Sequence, residues 1–328
     1  MEIGVVAPSL APLLAGIVSV FTMFVLLRAR GLPLDAPNER SLHSMPVPRS
    51  GGIAIVAGVV AAALWLRCDC GLMVVPAMAL ALASYLDDRH ALPAAVRLIV
   101  HLIAAGVFLW LILGFSTVVV SVFLLFAIAW ITNLYNFMDG SDGLAGGMAV
   151  IGFGAYGTAA WLAGNSDIQL LAWAVAAAAA GFLAFNFPPA KIFMGDVGSI
   201  PLGFLAGAFG VMGWQAGVWP LWFPIIVFAP FVVDASATLA RRALRGEVIW
   251  KAHREHYYHR LILSGWSHRR TALSEYALML LCGATAVIGL HRPPVEQMAL
   301  VWMLALCIAA AMWAVDRRWN RFRAKAIG

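Results

Sequence analysis

Apolar stretches long enough to cross a bilayer recur along this chain with only short polar breaks, and no other feature restricts its fold so strongly. Eleven can be placed, near residues 5–27, 51–66, 71–86, 95–114, 117–135, 144–163, 168–187, 199–214, 217–239, 272–290 and 297–315. Within hydrocarbon the backbone has to satisfy its own polar groups, which leaves helices or a closed barrel, and continuous apolar runs without alternation select helices. The chain of 328 residues is 62% hydrophobic and only 12% charged, which excludes an ordinary soluble domain. Several stretches, among them the pair 51–66 and 71–86, fall short of the ~20 residues that a perpendicular helix needs, so their boundaries are soft. The expected fold is all-α, a polytopic membrane bundle of 10–11 transmembrane helices. Residues 1–328 read as one integral domain, and 240–271 as its long His/Arg-rich loop. The opening Met1-Glu2-Ile3 carries no basic leader or small-residue cleavage site, so the first stretch is expected to be an uncleaved span.

Charge gives the orientation. With eleven spans and the N-terminus outside, the inner loops collect twenty of the 22 Lys and Arg, and only Arg67 and Arg292 fall outside. The positive-inside rule therefore places the C-terminus in the cytoplasm. The net charge of +6 follows from loops facing anionic lipid and calls for no nucleic acid. The tail Arg317–Lys325 reads as a membrane-surface anchor. Of the four cysteines, Cys68 and Cys70 lie on the outer side, too closely spaced to be expected as a disulfide.

Under this count the polar motifs gather at inner helix ends. Asp87-Asp88 closes the third span, Asn133-Leu-Tyr-Asn136-Phe-Met-Asp139-Gly-Ser-Asp142-Gly143 the fifth, and Asn186-Phe-Pro-Pro the seventh. Gly195-Asp196-Val-Gly-Ser199 opens the eighth. On a helix Asn133, Asn136 and Asp139 share a broad face. Aspartates converging on one side repel one another, and a hard divalent cation held by carboxylate and amide oxygens relieves that repulsion and bridges phosphates. Glycines ahead of a helix N-terminus offer amide N–H groups to a phosphate. Each motif also has a plainer use: a solvated loop start for Asp87-Asp88, a turn and N-cap for 195–199, packing for Phe193, surface charge for His253, His256, His259 and His268. Asp234, in Phe231-Val-Val-Asp-Ala-Ser236, is the one ionisable group expected deep within a span, which marks it for function.

Taken together and in order, these pieces resemble the polyprenyl-phosphate N-acetylhexosamine-1-phosphate transferases, the superfamily of MraY and WecA, and within it the WbpL-like enzymes that start O-antigen assembly. The resemblance runs from Asn38–Gly52 to Ser267-His-Arg269, and Asn136–Gly143 and Asn186–Ser199 are its most specific parts. It implies transfer of a sugar 1-phosphate from a UDP-N-acetylhexosamine to undecaprenyl phosphate with release of UMP, at the cytoplasmic face of a bacterial inner membrane. It further implies that Asp87 and Asp88 engage the lipid phosphate, and that Asp196 and Asn136 hold Mg²⁺ (or Mn²⁺). Asp139 and Asp142 would line the nucleotide-sugar side, Asn186 and Phe193 the uracil, and His253, Arg254 and His256 the pyrophosphate, with His256 acting in catalysis. A homodimer is compatible with it.

Two departures matter. Ala91 stands where MraY-type enzymes carry a Lys, and the histidines read His253-Arg-Glu-His256-Tyr-Tyr-His259 rather than three in a row. Both argue against a MurNAc-pentapeptide substrate and leave GlcNAc, FucNAc and QuiNAc open. A transporter or lipid flippase is the rival class, but it places ionisable groups near the midplane, whereas here nearly all acids lie at one interface.

Overall fold

The structure, a computed structural model, describes residues 8–35, 46–90, 92–114, 118–248 and 253–327, apart from the side chains of 88–90, 326 and 327. Its helices are α1 (Ala11–Arg28), α2 (Gly52–Leu66), α3 (Val74–His90), α4 (Ala94–Leu113), α5 (Val118–Phe137), α6 (Leu144–Leu162) and α7 (Ser166–Asn186). They continue as α8 (Asp196–Gln215), α9 (Trp222–Val227), α10 (Ala229–Leu244), α11 (Tyr257–Leu263), α12 (His268–Gly289) and α13 (Pro294–Ile327). The only sheet among the described residues is the antiparallel pair β1 (Leu34–Asp35) and β2 (Val47–Pro48), with Leu34 opposite Pro48. The protein is a polytopic helical membrane protein. Among the described residues eight helices are long and apolar enough to span a bilayer, while Gly52–Leu66 is apolar but shorter.

The eleven expected stretches each find their helix, with one break. The ninth is divided between α9 and α10 at Phe228, because Pro230 lacks an N–H and its ring clashes with a carbonyl one turn back. A short 3₁₀ segment, Asp69–Met73, leads into α3. Cys68 and Cys70 are joined as a disulfide, contrary to the expectation from their spacing. The chain turns into the 3₁₀ segment between them and sets their Cα atoms 5.3 Å apart, inside the ordinary disulfide range.

Helix α8 is the axis of the bundle, almost wholly buried against α2, α3, α5 and α6. Small residues allow neighbours to approach on several sides, the usual basis of helix packing in membranes. A Cβ on Gly52 would lie 2.3 Å from the Cα of Gly198, so α2 and α8 touch backbone to backbone. The outer helices carry Leu13, Phe21, Phe123, Phe126, Trp302 and Leu306 exposed. That surface suits hydrocarbon, not water.

The two ends differ in kind. At one, Tyr156 stacks on Trp219 with ring centroids 5.0 Å apart, donates to the Ala206 carbonyl at 2.9 Å, and is walled by Phe153, Phe209 and Phe228. The other end gathers the loops after α3, α5, α7 and α10, and with them the polar motifs.

Candidate active site

Gly195 adopts φ +71°, open to glycine and strained for other residues, and this turns the chain so that Asp196 leads α8. The amides of Gly198 and Ser199 bond back to the Gly195 carbonyl, and the Ser199 hydroxyl donates to Asn136 Oδ1 at 2.6 Å. One hydrogen bond thus fixes the start of α8 to the end of α5. Before it, Arg49 on the strand side bridges to Phe193, and the amides of Gly51 and Gly52 donate to the carbonyls of Phe193 and Met194, both at 2.9 Å.

Asp87, buried near the end of α3, accepts from the Leu92 amide at 2.6 Å and lies 3.3 Å from Arg97 Nε. Arg97 also reaches Asp196, with Nη1 and Oδ2 4.0 Å apart. The guanidinium, 42% exposed, therefore bridges the Asp87 and Asp196 carboxylates at the rim of the site. The side chain of Asp88 lies outside the described residues, as do residues 38–45 and Ala91 of the sequence motifs.

The loop 138–143 is held from four directions. Its Gly143 amide donates to Asn186 Oδ1 at 2.9 Å, and Asn186 Nδ2 in turn donates to the Ile192 carbonyl at 2.9 Å. Asp142 accepts from the Ala190 amide at 3.0 Å, His268 Nδ1 lies 2.9 Å from Ser141 Oγ, and Tyr276 donates to the Gly143 carbonyl at 2.7 Å. Tyr258 on α11 donates to the Phe137 carbonyl at 3.1 Å. At Gly140 a Cβ would fall 2.1 Å from the Tyr258 hydroxyl, so only glycine lets α11 close over this loop. Asn186 and Asp142 are thus joined to backbone on both sides of the site. Asp139 is left at the centre: desolvation first, then repulsion from Asp196, pushes its carboxyl well above the usual range.

The histidine loop lies alongside. His256 is buried, its ring 6.4 Å from Phe137, 5.8 Å from Tyr258 and 4.8 Å from His253, centroid to centroid. Burial lowers His253 to about 4 and His259 well below its ordinary value, so both rings are neutral at pH 7. Arg254 stands half-buried in the same turn. Asp234 is not a solitary mid-span charge as expected: its carboxylate receives the amides of Tyr257 and Tyr258, at the N-terminus of α11.

Sequence reasoning did not single out Arg97, Ser199 as the partner of Asn136, or Asp316 on α13. Asp316 accepts from Arg241, from Arg260 at 2.5 Å and from the Tyr257 hydroxyl, so the far end of the last helix buttresses the histidine loop. A cation inside an apolar stretch, as Arg97 is, was the available signal.

The oxygens of Asp196, Asp139 and Asn136 are hard donors of the kind a divalent cation takes, and such a cation would relieve the repulsion between the Asp139 and Asp196 carboxylates. Among the described residues no three His, Cys, Asp or Glu side chains converge as a ready metal cage. Mg²⁺ keeps several waters and needs no such cage.

Aspartates, helix N-termini and cations thus meet at one end of a polytopic helical membrane bundle. Residues 71–214 match glycosyl transferase family 4. Over 277 residues, 78% of this chain and 76% of the other, the chain is 32% identical to a probable undecaprenyl-phosphate N-acetylglucosaminyl 1-phosphate transferase of Bacillus subtilis (strain 168). It is 30% identical to the phospho-N-acetylmuramoyl-pentapeptide-transferase of Geobacillus kaustophilus (strain HTA426) over 278 residues, 74% of this chain and 83% of that one. The chain belongs to the polyprenyl-phosphate hexosamine-1-phosphate transferase superfamily, the family of these two relatives.

Proposed function

We propose that the protein transfers an N-acetylhexosamine 1-phosphate from a UDP-sugar to undecaprenyl phosphate, at the cytoplasmic face of a bacterial inner membrane. An oxygen of the lipid phosphate attacks the β-phosphorus, the bond from that phosphorus to the α–β bridging oxygen breaks, and UMP leaves. The observation that carries this reading is the meeting of Asp87, Asp196, Asn136 and Asp139 at one end of the bundle, joined through Arg97 and Ser199. A lipid phosphate lies at headgroup depth and a nucleotide sugar arrives from water, so their reaction requires such a boundary.

The residues divide the work by position. Asp87 orients the acceptor phosphate and takes up its proton where it carries one, and Asp88 neighbours it in sequence. The N-termini of α6 and α8 direct amide groups and the positive ends of their dipoles towards the pyrophosphate. Arg97 offsets charge on the transferred phosphate, and His253, Arg254 and His256 close over the leaving side. Asn186 and Phe193 shape the loop against which the uracil packs, and Asp139 and Asp142 border the sugar. Mg²⁺, held by Asp196 and Asn136, would supply positive charge to the reacting phosphates. We favour a single displacement, with the initiation of a cell-envelope glycan such as O-antigen as its use.

Incubating purified protein with undecaprenyl phosphate, Mg²⁺ and UDP-GlcNAc, UDP-FucNAc or UDP-QuiNAc in turn, and measuring UMP, tests the proposal. Lipid-dependent UMP release with at least one of them is expected. No release with any, from protein that is folded by thermal unfolding, would reject it.

A further inference from the structure

We infer that Asp234 is a positioning residue that fixes the ring and tautomer of His256, an inference that rests on the proposed role of His256 above. Asp234 was marked by sequence as an ionisable group inside a span, and the transfer reaction leaves it without a role. Its carboxylate is 7% exposed and surrounded by donors. Oδ1 receives the Tyr257 amide at 2.9 Å and the Thr238 hydroxyl at 3.2 Å. Oδ2 receives the Tyr257 amide at 3.0 Å and that of Tyr258 at 3.3 Å. His256 Nδ1 lies 3.2 Å from Oδ1.

A carboxylate has only acceptor capacity, so the Nδ1 that faces it is the protonated nitrogen. In the neutral ring the lone pair then lies on Nε2, which no described residue hydrogen-bonds. This is the arrangement in which a carboxylate sets an imidazole to act through its distal nitrogen. The ring is held flat as well: Phe137 lies 6.4 Å away at 28°, and Tyr258 5.8 Å away at 8°. Asp234 thus does two things with one group. It caps α11, the helix that carries His259 and Arg260, and it orients the imidazole at the residue just before that helix.

These two duties separate by substitution. In Asp234→Asn the amide oxygen still accepts from Tyr257, while its NH₂ group faces His256 Nδ1 as a donor. The His256 proton then moves to Nε2, and that nitrogen changes from acceptor to donor. The cap is retained and the tautomer is reversed.

The test combines ¹⁵N-histidine NMR of the full-length protein in lipid with a double-substitution cycle. For the wild type the His256 signals, assigned by their loss in His256→Gln, are expected to report Nδ1–H, and in Asp234→Asn Nε2–H. With undecaprenyl phosphate and the UDP-sugar that gives most UMP, Asp234→Asn is expected to lower kcat about 10- to 100-fold with little change in KM, the scale on which groups that orient a working imidazole act. In the His256→Gln background the same change is expected to have almost no further effect. An equal loss in both backgrounds, or an unchanged tautomer, would overturn the positioning role and leave Asp234 a helix cap. Wild-type turnover in His256→Gln would instead reject the role of His256 itself, and the NMR result would still decide whether Asp234 sets its tautomer.

Discussion

Asp196 and Asn136 are the residues on which the metal reading can be examined most closely. Both present short oxygen-bearing side chains, and the Asn136 oxygen is already steadied by Ser199 at 2.6 Å. Replacing the carboxylate removes charge as well as a ligand, whereas replacing the amide removes a ligand only. EDTA is expected to abolish transfer, and Mg²⁺ or Mn²⁺ to restore it. Asp196→Asn should stay inactive as Mg²⁺ is raised, and Asn136→Ala should regain part of its rate at higher Mg²⁺. A titration of rate against Mg²⁺ for the three proteins checks this. A second consequence concerns acid. His259 is held well below, and His253 at about 4, relative to an unfolded value of about 6.5. Below pH 6.5 the unfolded chain takes up protons that the folded one refuses, so this contribution to stability is complete above pH 6.5 and lost as pH falls towards 4. The fall in Tm between pH 7 and pH 5 should accordingly be shallower in His259→Gln than in the wild type; an equal slope would count against it.

At the scale of elements, much of the site was legible because its motifs are contiguous. Asn136–Gly143 and Asn186–Ser199 each lie on a helix end and the loop beside it, so reading the sequence in order already placed Asp139 near α6 and Asp196 at the mouth of α8. What joins them was not legible. Arg97 comes from the first turn of α4, Tyr258 from α11 and Asp316 from α13, and no local pattern signals pairing across the 56 to 121 residues that separate Asp316 from Arg260 and Arg241, Arg97 from Asp196, and Tyr258 from Phe137. The same holds for Asp234, whose depth was inferred from an unbroken ninth span, whereas the break at Phe228 and the return of α11 change its surroundings. Asp316 offers the test at this scale. Arg260 is buried beside it, and breaking an ion pair that leaves a buried charge unpaired costs about 3–5 kcal/mol, less here because Asp316 is partly exposed. Asp316→Asn is expected to lower stability by roughly 1–3 kcal/mol and to reduce turnover by loosening the histidine loop. Denaturant unfolding in detergent measures the first, and an unchanged midpoint would show that α13 does not brace the loop.

For the molecule as a whole, one asymmetry unites fold and reaction. The end with the Tyr156–Trp219 stack is aromatic, and the other carries Asp87, Asp139, Asp142 and Asp196 with nearly all the basic residues. Long apolar runs and charge were enough to predict the bundle and this polarity, because both depend on composition summed over long stretches. The division of α9 from α10 depends on Pro230 and was read through. From the charge bias we propose that the site faces the cytoplasm, with the N-terminus out and the C-terminus in. A reporter fused after Gly328 should be active only when it requires the cytoplasm, and periplasmic activity would reverse the assignment.

The central claim is that this site moves the β-phosphate of a UDP-sugar onto a lipid phosphate, and following that phosphorus tests it most directly. With donor labelled at the β-phosphorus, the wild type should carry label into the lipid phase in proportion to the UMP released, and Asp87→Asn and Asp196→Asn should carry almost none. Label that remains in water while UMP accumulates, or lipid labelling that survives both substitutions, would contradict it.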